Sequence, residues 1–124
     1  MKNFEEIFDE LFLFDDAMDK YEWIMDYGEK SAGVPPDSKI SKNLVQGCSS
    51  RLWLIKLNGA VQCDADSAIV KGFAGMICYW WNQASSDQQK EFSLNTLMAI
   101  GLAPLISMGR QNGIANLINA IKKL

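Results

Sequence analysis

Apolar residues near the start of the chain recur three and four apart. Phe4, Ile7, Phe8 and Leu11 follow this spacing, with Asn3 as a cap and Glu6 three residues on, and predict a first helix. A second helix is predicted from Asp16 to Glu29, burying Ala17, Tyr21, Ile24 and Met25; Gly33 and Val34-Pro35-Pro36 then give an extended loop. The period changes at the centre. Arg51 to Leu57 reads as a strand, Asn58-Gly59 as a type I′ turn, and Ala60 to Asp66 as the returning strand. A two-residue turn sets the register. Leu57 faces Ala60, Leu54 faces Cys63, Leu52 faces Ala65 and Arg51 faces Asp66. Leu52, Leu54, Val61, Cys63 and Ala65 then share one apolar face, while Trp53, Ile55 and Leu57 point the other way. A strand apolar on both faces is expected to be central, with Asn43 to Gln46 pairing on its open edge.

The helical period returns after the hairpin. Ser67 to Asn82 carries the stripe Ile69, Phe73, Met76, Ile77 and Trp80, and Ser86-Asp87-Gln88-Gln89 reads as a capping box for the next helix. Leu94 to Ile100 predicts a short helix ended by Gly101. The last helix, from about Ser107 to Lys123, buries Ile114, Leu117, Ile118 and Ile121, with Lys122 and Lys123 where the helix dipole favours cations. The fold class is α+β: N-terminal helices, a small antiparallel sheet with a central hairpin, and C-terminal helices. No repeat or linker interrupts it, so residues 1–124 are expected to form a single domain.

Composition narrows the chemistry. The chain has no histidine, which removes Ser-His-Asp and Cys-His catalysis and imidazole metal sites. It has no P-loop and no GxGxxG pattern. The net charge of −3 is uneven: residues 1–29 hold ten acids and two lysines, the remainder five acids and ten basic residues. An acidic solvated face on the first helices is the favoured reading, and a dipolar surface that steers a protein partner is the sharper one. Lysines and arginines do not cluster with aromatics, so nucleic acid is not expected as a partner. The longest nearly apolar run, Leu97 to Ile106, contains Gly101 and Pro104 and falls short of a membrane span; the acidic start carries no apolar signal segment. A cytoplasmic location is expected.

The three cysteines are Cys48, Cys63 and Cys78. An odd count without CxxC spacing predicts reduced thiols rather than a disulfide framework. Cys63 falls on the apolar face of the hairpin and reads as core. Cys78 lies mid-helix beside Ala74 and Gly75 and reads as packing. Cys48 sits in Gln46-Gly47-Cys48-Ser49-Ser50, where Gly47 permits close approach by another molecule and Ser49 and Ser50 offer hydroxyl donors to a thiolate. The local pattern alone leaves Cys48 open between a reactive thiol and an ordinary loop residue. An unperturbed thiol has a pKa near ~8.5, so nucleophilic work needs a cationic neighbour or an activated partner; Lys42, Arg51 and Arg110 are the candidates.

At this point the sequence resembles a known family. Val45-Gln46-Gly47-Cys48-Ser49-Ser50-Arg51-Leu52-Trp53-Leu54 is similar to the SufE signature V-x-G-C-x-S-x-[VL]-W. Tyr21-Glu22-Trp23-Ile24-Met25 resembles its R-Y-x-x-L-I segment, with Lys20 for the arginine. The stretch from Asp64 to Gly72 resembles D-S-D-A-x-I-V-K-G, and Gly101-Leu102 with Arg110-Gln111-Asn112-Gly113-Ile114 resembles G-L followed by R-S-x-G-[LM]. The departures are Gln111, Ser67, and Ala103 to Gly109, which lacks the usual Ser/Thr-Pro ending.

The resemblance implies a fold like that of SufE and the IscU-type scaffolds. It implies a sulfur acceptor for a SufS-type cysteine desulfurase, a persulfide carrier acting as an accessory to that enzyme. Cys48 takes the position of the sulfur-accepting cysteine, and Arg110 that of the characteristic C-terminal arginine. Gly47, Ser49, Ser50, Arg51 and Asp66 are supporting positions. For Asp66 and Lys71 a structural role, as helix cap and hairpin partner, is preferred. No cofactor is expected on this chain, since pyridoxal phosphate belongs to the partner desulfurase, and a downstream iron–sulfur scaffold is the expected recipient. Two other readings stand beside this one: an iron–sulfur scaffold or metal module using the cysteines, and a thiol redox sensor centred on Cys48.

Overall fold

The computed structural model describes residues 4–124. The expected Asn3 cap and the Phe4 side chain lie outside what it describes. The first helix, α1 (Phe4–Ile7), is shorter than its apolar spacing suggests, and a separate 3-10 turn at Leu11–Leu13 follows. Both Phe8 and Leu11 are nonetheless fully buried. Helix α2 (Ala17–Lys30) begins where Asp16 Oδ1 accepts the Met18 N–H at 2.8 Å. Its buried positions are Ile24 and Gly28, whereas Ala17 is exposed and Tyr21 and Met25 are half-buried. The expected stripe is therefore displaced toward the C-terminal turns.

The reason is a close helix crossing. A Cβ at Gly28 would stand 2.6 Å from the Gly72 backbone nitrogen, and one at Gly72 would collide with the Ile24 carbonyl. α2 thus packs backbone to backbone on α3 (Ala68–Gln83). α3 is the central element, burying Ile69, Phe73, Met76, Ile77 and Trp80 as expected, and Ser67 caps it by accepting the Val70 N–H. Each buried Phe, Ile or Met contributes about 1.5–3 kcal/mol of transfer free energy.

The hairpin follows the predicted register at every pair from Leu52↔Ala65 to Leu57↔Ala60, in strands β1 (Leu52–Leu57) and β2 (Ala60–Ala65). Asn58 (φ 54°) and Gly59 (φ 83°) take the left-handed conformations that a type I′ turn needs. The expected central strand is corrected. Among the described residues the sheet has two strands, and beyond β1 there is a single bridge, Leu44↔Trp53, with the Val45 N–H donating to the Leu52 carbonyl at 2.8 Å. Trp53 is still buried because Lys39 and Arg51 lie over its ring at 5.4 and 5.7 Å from the centroid. On the outer edge of β2, Asn82 of α3 donates to and accepts from Val61 at 3.0 and 2.8 Å, closing part of an edge that another chain could otherwise pair with.

The next cap falls one residue earlier than expected. Ser85 with Gln88, not Ser86 with Gln89, forms the capping box of α4 (Ser86–Glu91), and Gln89 instead reaches back to the Trp81 carbonyl at 2.9 Å. Helix α5 (Leu94–Leu97) widens into a π turn at Met98–Leu102, where Gly101 takes φ 100°, and a 3-10 turn at Ala103–Leu105 follows. The last helix, α6 (Met108–Lys123), buries Ile114, Leu117, Ile118 and Ile121 as expected.

Candidate functional site

The segment joining the Leu44 bridge to β1 carries Cys48. Three hydrogen bonds between Arg51 and Asp66 hold its base. The Asp66 N–H donates to the Arg51 carbonyl at 3.1 Å, and Asp66 accepts from the Arg51 N–H and Nε, each at 3.0 Å. The expected Arg51–Asp66 pairing is present. Asp66 serves there as hairpin partner and not as a helix cap, which Ser67 provides. The ion pair is well exposed, so it fixes geometry more than it stabilises.

Above that base, Gly47 adopts φ +83° and turns the chain onto α6. The Cys48 thiol donates to the Gly113 carbonyl at 3.5 Å, and the Asn116 amide donates to the Gly47 carbonyl at 3.2 Å. Cys48, Ser49 and Ser50 face Val70 of α3 and Arg110, Gly113 and Ile114 of α6 across a cleft of about 10 Å³, the room of about one water. Cys48 is half-buried, and this burial pushes its thiol above its ordinary pKa. A protonated thiol suits this setting, because only the S–H form donates to the Gly113 carbonyl.

Of the three cations considered for the thiol, Arg110 alone lines this cleft. Among the described residues Arg110 makes no ion pair, whereas Arg51 is committed to Asp66. Lys42 lies exposed on a 3-10 turn at Ser41–Asn43. The structure thus brings Cys48, Ser49, Ser50 and Arg110 together, with Gly47 behind them and the Arg51–Asp66 pair below.

The other two cysteines are buried, Cys63 on β2 and Cys78 on α3, as expected. The expected thiol state is corrected: Cys63 and Cys78 are joined in a disulfide, and Cys48 is the free cysteine. Sequence spacing could not show this pairing, since it arises from β2 packing across α3. The disulfide borders a cavity of about 460 Å³ between α2, α3 and β2. Cys48, Arg110 and Gly113 do not line that cavity; they line the small cleft described above.

Sequence reasoning missed two residues here. Asn116 continues the spacing Arg110, Gly113, Asn116, one stripe of α6 that meets the loop. Asp64, only 5% exposed, accepts from the Val34 and Ala65 N–H groups at 3.1 and 2.9 Å and pairs with Lys39 and Lys71 at 3.3 and 3.4 Å. Its signal was an acid at an inner strand position, with Lys71 seven residues on.

The chain is similar to known proteins in sequence and in fold. A SufE-like protein of Rhizobium meliloti (strain 1021), itself uncharacterized, is 27% identical over 98% of this chain and 94% of its own length. In fold, the solution structure of a hypothetical protein from Thermus thermophilus superposes with a TM-score of 0.73, covering 97% of this chain and 90% of that one at 15% identity. The family model SufE, described as the Fe-S metabolism associated domain, matches residues 5–124. With a free Cys48 in the motif loop and the helices and hairpin of that fold around it, the chain belongs to the SufE family of Fe–S metabolism domains.

Proposed function

We propose that this protein accepts sulfur from a pyridoxal-phosphate-dependent cysteine desulfurase of the SufS type, carries it as a persulfide on Cys48, and delivers it to an iron–sulfur scaffold. The observation that carries the reading is the contrast among the cysteines. Cys48 alone is free, and it sits in a loop cleft beside an uncommitted arginine. In the transfer, the Cys48 thiolate attacks the outer sulfur of the donor's persulfide. That sulfur's bond to the donor cysteine breaks, the donor leaves as a thiolate, and a new sulfur–sulfur bond forms on Cys48. The step is redox-neutral and needs no histidine and no metal on this chain.

The resting thiol is sheltered and its pKa is raised. Docking therefore has two tasks: to swing the loop outward, and to favour the thiolate. Arg110 supports the second as the cation nearest to hand in the cleft. A cluster-scaffold role is less well supported. Cys63 and Cys78 are occupied with each other, and no group of three or more His, Cys, Asp or Glu able to hold a metal occurs among the described residues.

The test is to incubate the protein with a cysteine desulfurase and L-cysteine and weigh it intact. Additions in steps of about 32 Da, mapped to Cys48, are expected. Cys48→Ser should abolish both the additions and the stimulation of the desulfurase while leaving the unfolding midpoint in place. Stimulation retained by Cys48→Ser removes the proposal.

A further inference from the structure

Among the described residues, two hydrogen bonds tie the 46–50 segment to α6: Asn116 Nδ2 to the Gly47 carbonyl at 3.2 Å, and Cys48 Sγ to the Gly113 carbonyl at 3.5 Å. Both contacts exist because a glycine stands on one side. A Cβ at Gly47 would collide with Asn116 Nδ2, and one at Gly113 would come within 3.2 Å of Cys48 Sγ and 3.6 Å of its Cβ. Loop and helix are therefore fitted to one another at backbone distance. The bonds are unequal. A thiol is a weak donor, whereas the carboxamide is a full-strength one. Asn116 also lies outside the cleft that the sulfur occupies. It holds the loop without entering the chemistry.

We infer that Asn116 is a positioning residue, whose amide latches the Cys48 loop onto α6 in a closed, unreactive conformation and releases it when the loop opens toward a partner. The docking half of this statement rests on the sulfur-acceptor reading; the latch itself does not. A closed loop withholds Cys48 from small electrophiles and from a partner protein alike. A ligand that binds only the open form has its affinity reduced by the fraction that is open. Weakening the latch therefore raises both quantities by one common factor. Losing one ordinary hydrogen bond sets that factor at roughly fivefold.

The experiment measures the alkylation rate of Cys48 by iodoacetamide across pH in the isolated protein and in two variants, Asn116→Ala and Gly113→Ala. Alanine is a better helix former than either residue, so α6 is retained, and unfolding midpoints check this. Asn116→Ala is expected to react roughly fivefold faster at neutral pH. Gly113→Ala, which pushes the sulfur off its seat, should react at least as fast. In both, the pH profile should move down toward that of an ordinary thiol, because the freed sulfur leaves its buried site. A purely structural role for Asn116 would not shift that profile.

With a desulfurase present, Asn116→Ala should lower the concentration giving half-maximal stimulation by the same factor, with the maximal rate unchanged. Alkylation rates and profiles unchanged in both variants overturn the latch, whatever the desulfurase does. Faster alkylation with no desulfurase response in the variants or the parent supports the latch and removes the sulfur-acceptor reading instead.

Discussion

Asp64 lies in β2 and Cys48 in the loop that leads into β1, and the structure treats them in opposite ways. Asp64 is buried and surrounded by two backbone N–H donors and two lysines drawn from the 33–39 loop and α3. Cys48 is half-buried and held by one weak thiol bond and one amide on a neighbouring residue. A charge taken out of water must be fully matched or it destabilises the fold. A nucleophile that has to reach another protein must be held by little enough to let go. The first region is a knot on the hairpin, and the second is a latch in the loop that leads into it.

The largest stability effect should come from cutting the knot. Asp64→Ala leaves the Val34 and Ala65 N–H groups without their acceptor and removes the partner of Lys39 and Lys71. A loss of about 3–5 kcal/mol in urea unfolding is expected, with Cys48 alkylation in the folded fraction little changed. A loss under about 1 kcal/mol would erase the distinction between the two regions.

A similar but smaller loss should follow reduction of Cys63–Cys78, which fastens β2 to α3 across 15 residues of chain. Closing a loop of that length contributes about 3 kcal/mol by limiting the unfolded chain. Unfolding the oxidised protein without reductant should leave one alkylatable cysteine, against three after reduction. Three without reductant would show that the pair is not bonded in solution.

The smallest effects are in pH, and they run in opposite directions. At Asp64, burial pushes the carboxyl up, but its donors and the two lysines outweigh this and hold it below its ordinary value. Its contribution is thus complete above the unfolded carboxylate pKa of about 3.9 and is lost as pH falls through the lower folded value. At Cys48 the thiol is pushed up. Above an unfolded thiol pKa of about 8.5 the unfolded chain ionises first, so stability declines as pH rises there. Melting scans at acid and alkaline pH should show both slopes. An alkaline slope that survives Cys48→Ser would assign it to other groups.

Much of this contrast was legible in the chain. The Asn58-Gly59 turn set every pair of the hairpin, and with it the apolar face of Cys63 and the meeting of Arg51 with Asp66. The motif around Cys48 placed it between extended segments, which is where it lies. These are local matters: turn chemistry and the period of a strand act over a few residues, so the order of residues suffices to determine them. The cap of α4 slipped by one residue because Ser85 and Ser86 are equally good caps, and only the turn leaving α3 chose between them.

What tertiary structure alone decided was every meeting of elements distant in sequence. Gly28 and Gly72 let α2 and α3 touch at their backbones, Cys63 reached Cys78 where β2 packs on α3, and Asp64 gathered the 33–39 loop to α3. The Cys48 loop came to rest on Gly113 and Asn116, more than sixty residues further on. Residue type announces that a carboxylate, thiol or amide is available. Whether it is matched, bonded or latched depends on which surface the folded chain brings against it, and that is a property of packing and not of order along the chain.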